Sequence, residues 1–240
     1  MLQAILDMLY PPRCPVCEDI VIPKDRKICL PCEKKLQLIC EPRCKKCSKP
    51  VEDDQAEYCA DCRRKDYHFE YGYALWLYDS TMKRSISNFK YGYKKEYAKY
   101  YIQEIVKNYG KTILKMDPDI IVPVPIHKSK YRERGYNQAE ILAKGIGKEL
   151  KIPVLSNLII RNKRTLPQKQ LSDKERLRNL QEAFEFNKDL ADKYPRSLSR
   201  LLLVDDIYTT GSTIEACTNV LKNNGIKQVY FITLCIGKGF

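Results

Sequence analysis

The sequence predicts an α/β protein in which an open parallel sheet with flanking helices follows a small cysteine-rich module. After residue 66, segments with strand character alternate with amphipathic helical segments, which is typical of parallel sheets. The uninterrupted apolar run of residues 201–204 has the composition of a buried central strand. Before residue 66, eight of the 11 cysteines occur as four Cys-x-x-Cys pairs. We therefore expect two domains, residues 1–66 and residues 67–240.

The composition is that of a globular chain, with 240 residues, 44% hydrophobic residues, 10 glycines and 13 prolines. Disordered and fibrous classes are excluded, and no window of about 18 uninterrupted apolar residues predicts a membrane span. The apolar start, residues 1–10, carries Asp7 and no basic segment, so it predicts a short packing helix rather than a signal peptide. We expect a cytoplasmic protein without stable membrane insertion.

The four cysteine pairs form a repeat, because 11 residues separate the two pairs of each half and the half recurs after 30 residues. Two residues between cysteines let both sulfurs reach one tetrahedral ion at about 2.3 Å. Four thiolates leave no coordination position open, so the pattern predicts two structural Zn²⁺ ions. The candidate ligands are Cys14, Cys17, Cys29, Cys32, Cys44, Cys47, Cys59 and Cys62.

The spacing is compatible with two ways of pairing these ligands. Sequential sites would use 14/17/29/32 and 44/47/59/62, whereas a cross-braced module would use 14/17/44/47 and 29/32/59/62. Because the module has little apolar material, metal binding is expected to supply its folding free energy. Cys40 lies outside the pattern, while Cys217 and Cys235 lie in apolar contexts and are expected in the core.

The second domain is predicted element by element from its periodicity. The predicted strands are residues 71–78, 119–125, 200–204 and 228–236. The predicted helices are a stretch containing Ile86 and Phe89, then residues 95–109, 137–150 and 213–224. Residues 162–175 are polar and irregular, so they predict a long loop of the kind that serves as a lid or a binding element.

The most informative segment is residues 201–213, where a buried strand ends in Asp205 and Asp206 and a turn of small residues opens a helix. Backbone N–H groups at a helix start, together with nearby hydroxyls, form an anion site. Gly211 allows the backbone to approach closely, and the two acids can accept from vicinal hydroxyls or hold Mg²⁺. The segment therefore predicts a sugar phosphate site. Its hydroxyls come from Thr209, Thr210, Ser212 and Thr213.

This segment resembles the PRPP-binding signature of the type I phosphoribosyltransferases. The resemblance implies that residues 209–213 hold the 5′-phosphate, that Asp205 and Asp206 face the ribose hydroxyls, and that Mg²⁺ accompanies the ligand. In the 6-oxopurine enzymes an aspartate stands where this chain has Thr209, so that type is disfavoured. The glutamine-dependent type needs an amino-terminal catalytic cysteine domain, which a chain starting Met-Leu-Gln is not expected to have.

Further motifs resemble the ComF family, competence-associated proteins with a zinc module before a phosphoribosyltransferase-like domain. They are the cysteine module, Lys90-Tyr91-Gly92, Val-Pro-Val-Pro-Ile-His at 122–127, Arg-Glu-Arg-Gly-Tyr-Asn-Gln at 132–138, Thr-Leu-Pro-Gln at 165–168 and Arg178-Asn179. The resemblance covers nearly the whole chain. It implies a role in natural transformation, in which single-stranded DNA is handled alongside other DNA-uptake proteins.

Cations near the predicted strand ends are candidates for neutralising a leaving pyrophosphate, should the domain be catalytic. The loop after Pro125 offers His127, Lys128, Arg132 and Arg134, and the lid offers Arg161, Lys163, Arg164 and Lys169. No side chain stands out as a base for an acceptor, so catalytic residues and the acceptor stay unassigned.

The positive charge points to a polyanion, since residues 67–240 hold 30 basic and 18 acidic residues. Residues 161–178 hold seven bases and two acids, and residues 83–101 hold six bases and one acid interleaved with aromatic residues. Cations beside aromatic platforms are typical of single-strand binding, although such runs are more often solvated helix faces and buried tyrosines. The nucleic-acid candidates are Lys90, Tyr91, Tyr93, Lys94 and Lys95.

Three functions are compatible with these motifs. The first is a competence factor that handles single-stranded DNA on a fold that binds PRPP or a related ribose phosphate. The second is an active phosphoribosyltransferase of unknown acceptor, and the third is a PRPP-sensing adaptor without catalysis. The whole-chain resemblance favours the first.

Elemental analysis of the purified chain is expected to find about two zinc ions per molecule, because eight thiolates complete two four-ligand sites. Replacing Cys40 by serine, outside the repeat, should leave that number unchanged. A value near one would mean that half of the repeat holds no ion of its own.

Overall fold

The computed structural model describes residues 11–23, 25–53, 55–162, 182–194 and 197–238, and its central feature is a parallel sheet. The strands of this sheet are β1 (Gly72–Leu77), β2 (Ile120–Pro123), β5 (Arg200–Tyr208) and β6 (Gln228–Ile236). They lie in the order β1-β6-β5-β2, and each neighbouring pair is parallel. A separate antiparallel pair is formed by β3 (Ile159–Arg161) and β4 (Phe184–Phe186). The predicted open parallel sheet is confirmed.

The helices complete the layers on the two faces of the sheet. In the described residues they are α1 (Leu30–Glu33), α2 (Ala60–Arg64), α3 (Ser80–Tyr91), α4 (Tyr97–Met116), α5 (Lys128–Arg134), α6 (Gln138–Leu150), α7 (Lys188–Asp192) and α8 (Ser212–Asn223). Helix α4 continues beyond the predicted end at residue 109, because Ile113 and Met116 extend its buried stripe. Helix α5 replaces the loop expected after Pro125, with His127 as its N-cap and Gly135 as its left-handed C-cap.

Strand β5 is buried on both faces, which explains its unbroken apolar sequence. Because side chains alternate along a strand, Leu202 and Val204 join the apolar cluster under α3, α4 and α6. Leu201 and Leu203 join the opposite cluster, which contains the buried residues of α8. The sheet therefore separates two apolar cores.

The cysteine module is a structural repeat as well as a repeat of sequence. The first Cys-x-x-Cys pair of each half lies in a tight hairpin, closed by the bridge Arg13–Ile20 in one half and Arg43–Pro50 in the other. Glu18 and Ser48, 30 residues apart, both adopt φ 69° in these hairpins. The second pair of each half leads directly into a short helix, α1 or α2.

The segment between the two halves lies along the free edge of β1. Leu38 bridges Trp76 in antiparallel fashion, and the amide of Ile39 donates to the carbonyl of Leu75 at 3.0 Å. An otherwise unpaired sheet edge is thereby covered. The halves then pack on opposite faces of the sheet, since Cys14 belongs to the α3–α4 cluster and Cys47 to the α8 cluster.

Several predictions fall outside the described residues. These are the helix at residues 1–10, the loop from residue 163 onward, the motif at 165–168 and the motif Arg178-Asn179. The domain boundary at residue 66 stays a prediction. None of the helices that the structure describes is long and apolar enough to cross a membrane.

Candidate functional site

The cysteines gather into two clusters that resolve the alternative pairings left open by spacing. Cys14, Cys17, Cys29 and Cys32 form one cluster and Cys44, Cys47, Cys59 and Cys62 the other, with all ligand atoms of a cluster within 4.8 Å of one another. A tetrahedral ion with Zn–S bonds of about 2.3 Å needs sulfurs about 3.8 Å apart. The Sγ atoms of Cys47 and Cys59 are 3.6 Å apart and those of Cys17 and Cys29 4.0 Å. Both sites are therefore sequential.

The other three cysteines lie apart from these clusters. Cys40 is exposed, whereas Cys217 and Cys235 are buried, as their apolar contexts predict.

A cleft of about 750 Å³ opens where β2 ends and β5 continues. The pairing of β2 with β5 stops at Pro123 and Val204, but β5 extends through Asp205 and Asp206 to Tyr208 beside β6. The charged and hydroxyl-bearing side chains that line the cleft are Tyr78, Lys90, His127, Ser129, Lys130, Arg134, Arg161, Asp205, Asp206, Thr209 and Thr213.

The turn of residues 209–213 lies at one end of the cleft and leads into α8. Gly211 has φ 77°, and a Cβ there would overlap the Tyr208 hydroxyl, so only glycine fits. The hydroxyls of Thr210 and Ser212 contact each other at 3.0 Å, while Thr209 and Thr213 face the cleft. No side chain caps the start of α8, which leaves its first-turn N–H groups suited to an anion.

Two residues that follow the second half of the cysteine module hold this turn and the first turn of α8 by hydrogen bonds. The Tyr67 hydroxyl donates to the carbonyl of Thr210 at 2.7 Å. The amide of His68 donates to Glu215 Oε2 at 3.0 Å, and His68 Nδ1 lies 2.5 Å from Glu215 Oε1. No local motif in the sequence marks these contacts, because 143 and 147 residues separate the partners.

The two acids differ in their environment. Asp206 forms an ion pair with Lys90, whose Nζ lies 2.7 Å from Oδ2 and 2.9 Å from Oδ1. Burial, followed by the neighbouring charge of Asp206, raises the pKa of Asp205 to about 7. Oδ1 of Asp205 accepts the amide N–H of Asp206 at 2.8 Å. Lys90, grouped by sequence with the nucleic-acid candidates, thus lies inside the cleft.

Of the cations predicted around Pro125, His127 and Arg134 line the cleft. His127 Nδ1 accepts from the Ser129 amide at 3.1 Å, so a neutral ring carries its proton on Nε2 as a donor. Arg134 is buried, donates to Gln138 Oε1 at 2.9 Å and to Tyr91 Oη at 2.8 Å, and stacks on the Tyr91 ring. These bonds give Arg134 a structural role in addition to its position at the cleft.

The remaining cation candidates are divided between the cleft, the surface and the part of the chain that is not described. Arg161 stacks on Phe184 at 5.4 Å and lines the cleft, and burial lowers its pKa. Lys128 and Arg132 are exposed on α5 and do not line the cleft. Lys130, which the sequence analysis did not single out, does line it. Lys163, Arg164 and Lys169 lie outside the described residues.

Exposed aromatic rings lie near this end of the sheet. Tyr91, Tyr93 and Tyr131 are 48%, 68% and 50% exposed, and the Tyr93 hydroxyl contacts the carbonyl of Glu133 on α5. In contrast, the tyrosines at helical spacing in α4, among them Tyr97 and Tyr101, are buried in the core.

Two lysines accompany these exposed rings. Lys94 lies 3.9 Å from a carboxylate oxygen of Glu96, and Lys95 lies over the Tyr136 ring. The exposed aromatic residues of 83–101 are therefore limited to Tyr91 and Tyr93, since the tyrosines of α4 belong to the core.

Known proteins are similar both to the cysteine module and to the rest of the chain. Residues 5–63 match the double zinc ribbon domain. The chain is 27% identical over 225 residues to Competence protein F of Haemophilus influenzae, covering 90% of this chain and 93% of that protein. It is 27% identical to Competence protein ComFC of Bacillus subtilis, covering 85% and 82% of the two chains. It is 28% identical to DNA utilization protein YhgH of Salmonella typhimurium, covering 80% and 83%. The resemblance to ComF-type proteins is confirmed.

Solved structures similar to parts of the chain include phosphoribosyltransferases. Orotate phosphoribosyltransferase from Aeropyrum pernix aligns at 14% identity with a TM-score of 0.35, covering 63% of each chain. Adenine phosphoribosyltransferase from Leishmania tarentolae aligns at 15% identity with a TM-score of 0.37, covering 62% of this chain and 74% of that one. Because these TM-scores are low, the fold is assigned from the strand order described above and not from these structures.

The substitution Asp205→Asn is expected to stabilise the protein above about pH 7 and to have less effect near pH 5. The folded pKa of Asp205 is raised from 3.8 to about 7, so the native state keeps a proton that the unfolded chain releases. Stability from this group therefore falls as pH rises between those two values, by at most about 4 kcal/mol. Asparagine stays neutral and retains the Oδ1 acceptor.

Thermal unfolding of wild type and variant across this pH range would measure the difference. Asp192→Asn, an exposed carboxylate on α7, controls for the loss of one negative charge. A melting-temperature difference that does not change with pH would contradict the raised pKa.

Proposed function

We propose that this protein acts in DNA uptake or DNA utilization, as its relatives are named to do, and that its cleft binds a ribose 5-phosphate such as PRPP. The observation that carries the ligand proposal is the shared position of Asp205, Asp206 and the turn of residues 209–213 at one cleft. Carboxylates can accept from vicinal ribose hydroxyls, and an uncapped helix start can hold a phosphate. The ligand therefore needs both a diol and a phosphate.

The charges around the cleft favour an anionic ligand. Arg134 and Arg161 line it in addition to Lys90, which Asp206 neutralises, and Lys130, which pairs with Glu133 at 2.8 Å. Cations in a concave site raise the local concentration of an anion and strengthen its contacts. A ligand with more than one phosphate group, as in PRPP, matches this surplus of positive charge.

Magnesium, implied by the resemblance, does not fit the acids as the structure arranges them. Both oxygens of Asp206 lie within hydrogen-bond distance of the Lys90 ammonium. Asp205, with a pKa of about 7, is only partly ionised at neutral pH. Neither acid therefore offers Mg²⁺ a free and fully charged carboxylate.

Replacing both acids, Asp205→Asn with Asp206→Asn, is expected to weaken PRPP binding by about tenfold or more, because charge-assisted hydrogen bonds to the ribose are lost. Titration calorimetry with PRPP in buffer containing MgCl₂ measures the affinity. The control pair Asp189→Asn with Asp192→Asn also replaces two aspartates by asparagine, on α7 and outside the cleft lining.

Comparing the two variants distinguishes the loss of hydrogen bonds to the ribose hydroxyls from the effect that a change in net charge has on PRPP affinity. Removing negative charge anywhere should tighten the binding of an anion slightly, so the control is expected to bind PRPP as well as wild type or better. Unchanged or tighter binding by the cleft variant would reject the proposed orientation of the ribose.

A second candidate activity, single-stranded DNA binding, is favoured by the exposed tyrosines. Tyr91, Tyr93 and Tyr131 are exposed on a domain with a large excess of basic residues, although Arg134 stacks on the Tyr91 ring. Stacking of bases on such rings contributes about 1–3 kcal/mol per base and tolerates any sequence. The names of the relatives refer to competence and to DNA utilization, which supports a role that involves DNA.

The double variant Tyr93→Ala with Tyr131→Ala is expected to weaken single-stranded oligonucleotide binding by about tenfold or more without changing its salt dependence, because stacking is lost but no cation is removed. Fluorescence anisotropy across a salt series gives both quantities. Tyr58→Ala removes an exposed tyrosine of the second ribbon and is the matched control. Equal losses in both proteins, or no binding at low salt, would reject this surface.

A further inference from the structure

The ion pair between Lys90 and Asp206 is fixed from the lysine side by contacts outside the cleft. Lys90 lies in the last turn of α3, between Phe89 and Tyr91. The carbonyl of Phe89 accepts the Tyr136 hydroxyl, and the Tyr91 hydroxyl accepts from Arg134 at 2.8 Å. Because the residues on both sides of Lys90 are held, its ammonium is directed at the acid instead of moving in solvent.

The ammonium lies where a cation would bind both oxygens of the carboxylate. Nζ is 2.7 Å from Oδ2 and 2.9 Å from Oδ1, and the side chains of Lys90 and Asp206 are 18% and 11% exposed. A divalent ion held by Asp206 in bidentate fashion would need the same position. The charges of Asp206 and Asp205 outweigh burial and raise the pKa of Lys90, so its ammonium stays charged.

The pair leaves Asp206 able to bind a sugar. A carboxylate has about four lone-pair positions, and the ammonium accounts for two of them. A carboxylate acceptor fixed by Lys90 therefore exists at the cleft before any metal ion is added.

We propose that Lys90 takes the place of a divalent cation at Asp206, so that the cleft binds a ribose 5-phosphate in the absence of metal ions. The binding of a sugar phosphate without metal ions rests on the proposed function. The exclusion of a metal ion from Asp206 does not, because it depends only on the ion pair between Lys90 and Asp206.

Manganese binding to the zinc-loaded protein, measured by electron paramagnetic resonance without any sugar, tests only whether Lys90 excludes a divalent ion from Asp206. Wild type and Lys90→Arg, which keeps the cation, are expected to show no Mn²⁺ site at micromolar concentrations. Lys90→Met should gain one site, and Lys90→Met with Asp206→Asn should lose it again. Lys83→Met, an exposed lysine of the same helix, is the matched control. A Mn²⁺ site on Asp206 in wild type would overturn the proposal even if Lys90→Met fails to fold.

Calorimetry with ribose 5-phosphate tests whether the cleft binds the sugar phosphate without metal ions. It is carried out in buffer depleted of divalent cations and again with millimolar MgCl₂. The wild-type affinity is expected to change by less than about twofold between the two buffers. Lys90→Met should bind at least about tenfold more weakly without Mg²⁺ and recover when Mg²⁺ is added.

The outcomes distinguish this inference from the proposed function. Wild-type binding that requires Mg²⁺ would overturn the role of Lys90 while leaving the ribose phosphate site in place. Failure of wild type to bind ribose 5-phosphate or PRPP in either buffer would reject the site, and the Mn²⁺ experiment would still decide what Lys90 does.

Discussion

The unequal length of two neighbouring strands creates the cleft on which the functional arrangement depends. The last backbone bond from the β2 segment to β5 is donated by the amide of Val124 to Val204. After Val124 the chain leaves the sheet and enters α5 at Lys128, so the ladder to β5 ends there. Strand β5, in contrast, goes on beside β6 to Tyr208. Asp205 and Asp206 therefore lie on a strand that is held on one side and open to the cleft on the other.

The zinc ribbons are part of the packing that positions this cleft. The second ribbon leads directly into Tyr67 and His68, which hold the turn of residues 209–213 and the first turn of α8. Its cysteines share an apolar cluster with Tyr208, the residue that Gly211 packs against. Because structural zinc contributes folding free energy, metal binding and the shape of the turn belong to one cooperative unit.

The burial of charged groups at the cleft lowers the free energy of unfolding. Asp205 is held in a place that raises its pKa to about 7, and Asp206 is largely buried in an ion pair with Lys90. Groups whose pKa is displaced by burial and by a specific partner are concentrated in functional sites. Proteins keep such groups where binding benefits from them, even though a neutral residue would make the fold more stable.

The sequence alone determined those features whose signal is local. The eight zinc ligands, the central apolar strand, the bounds of β6 and the turn around Gly211 follow from spacing and periodicity within about 30 residues. Helix α5 was missed because it is short and polar, and Arg134 is its one buried residue, so no apolar stripe marks it. Only the tertiary structure decided how the cysteines divide into sites, that Lys90 pairs with Asp206 across 116 residues, and that Tyr67 holds Thr210 across 143. These contacts arise where helices and ribbons pack on the two faces of the sheet, and packing partners far apart in the chain leave no periodic pattern in the sequence.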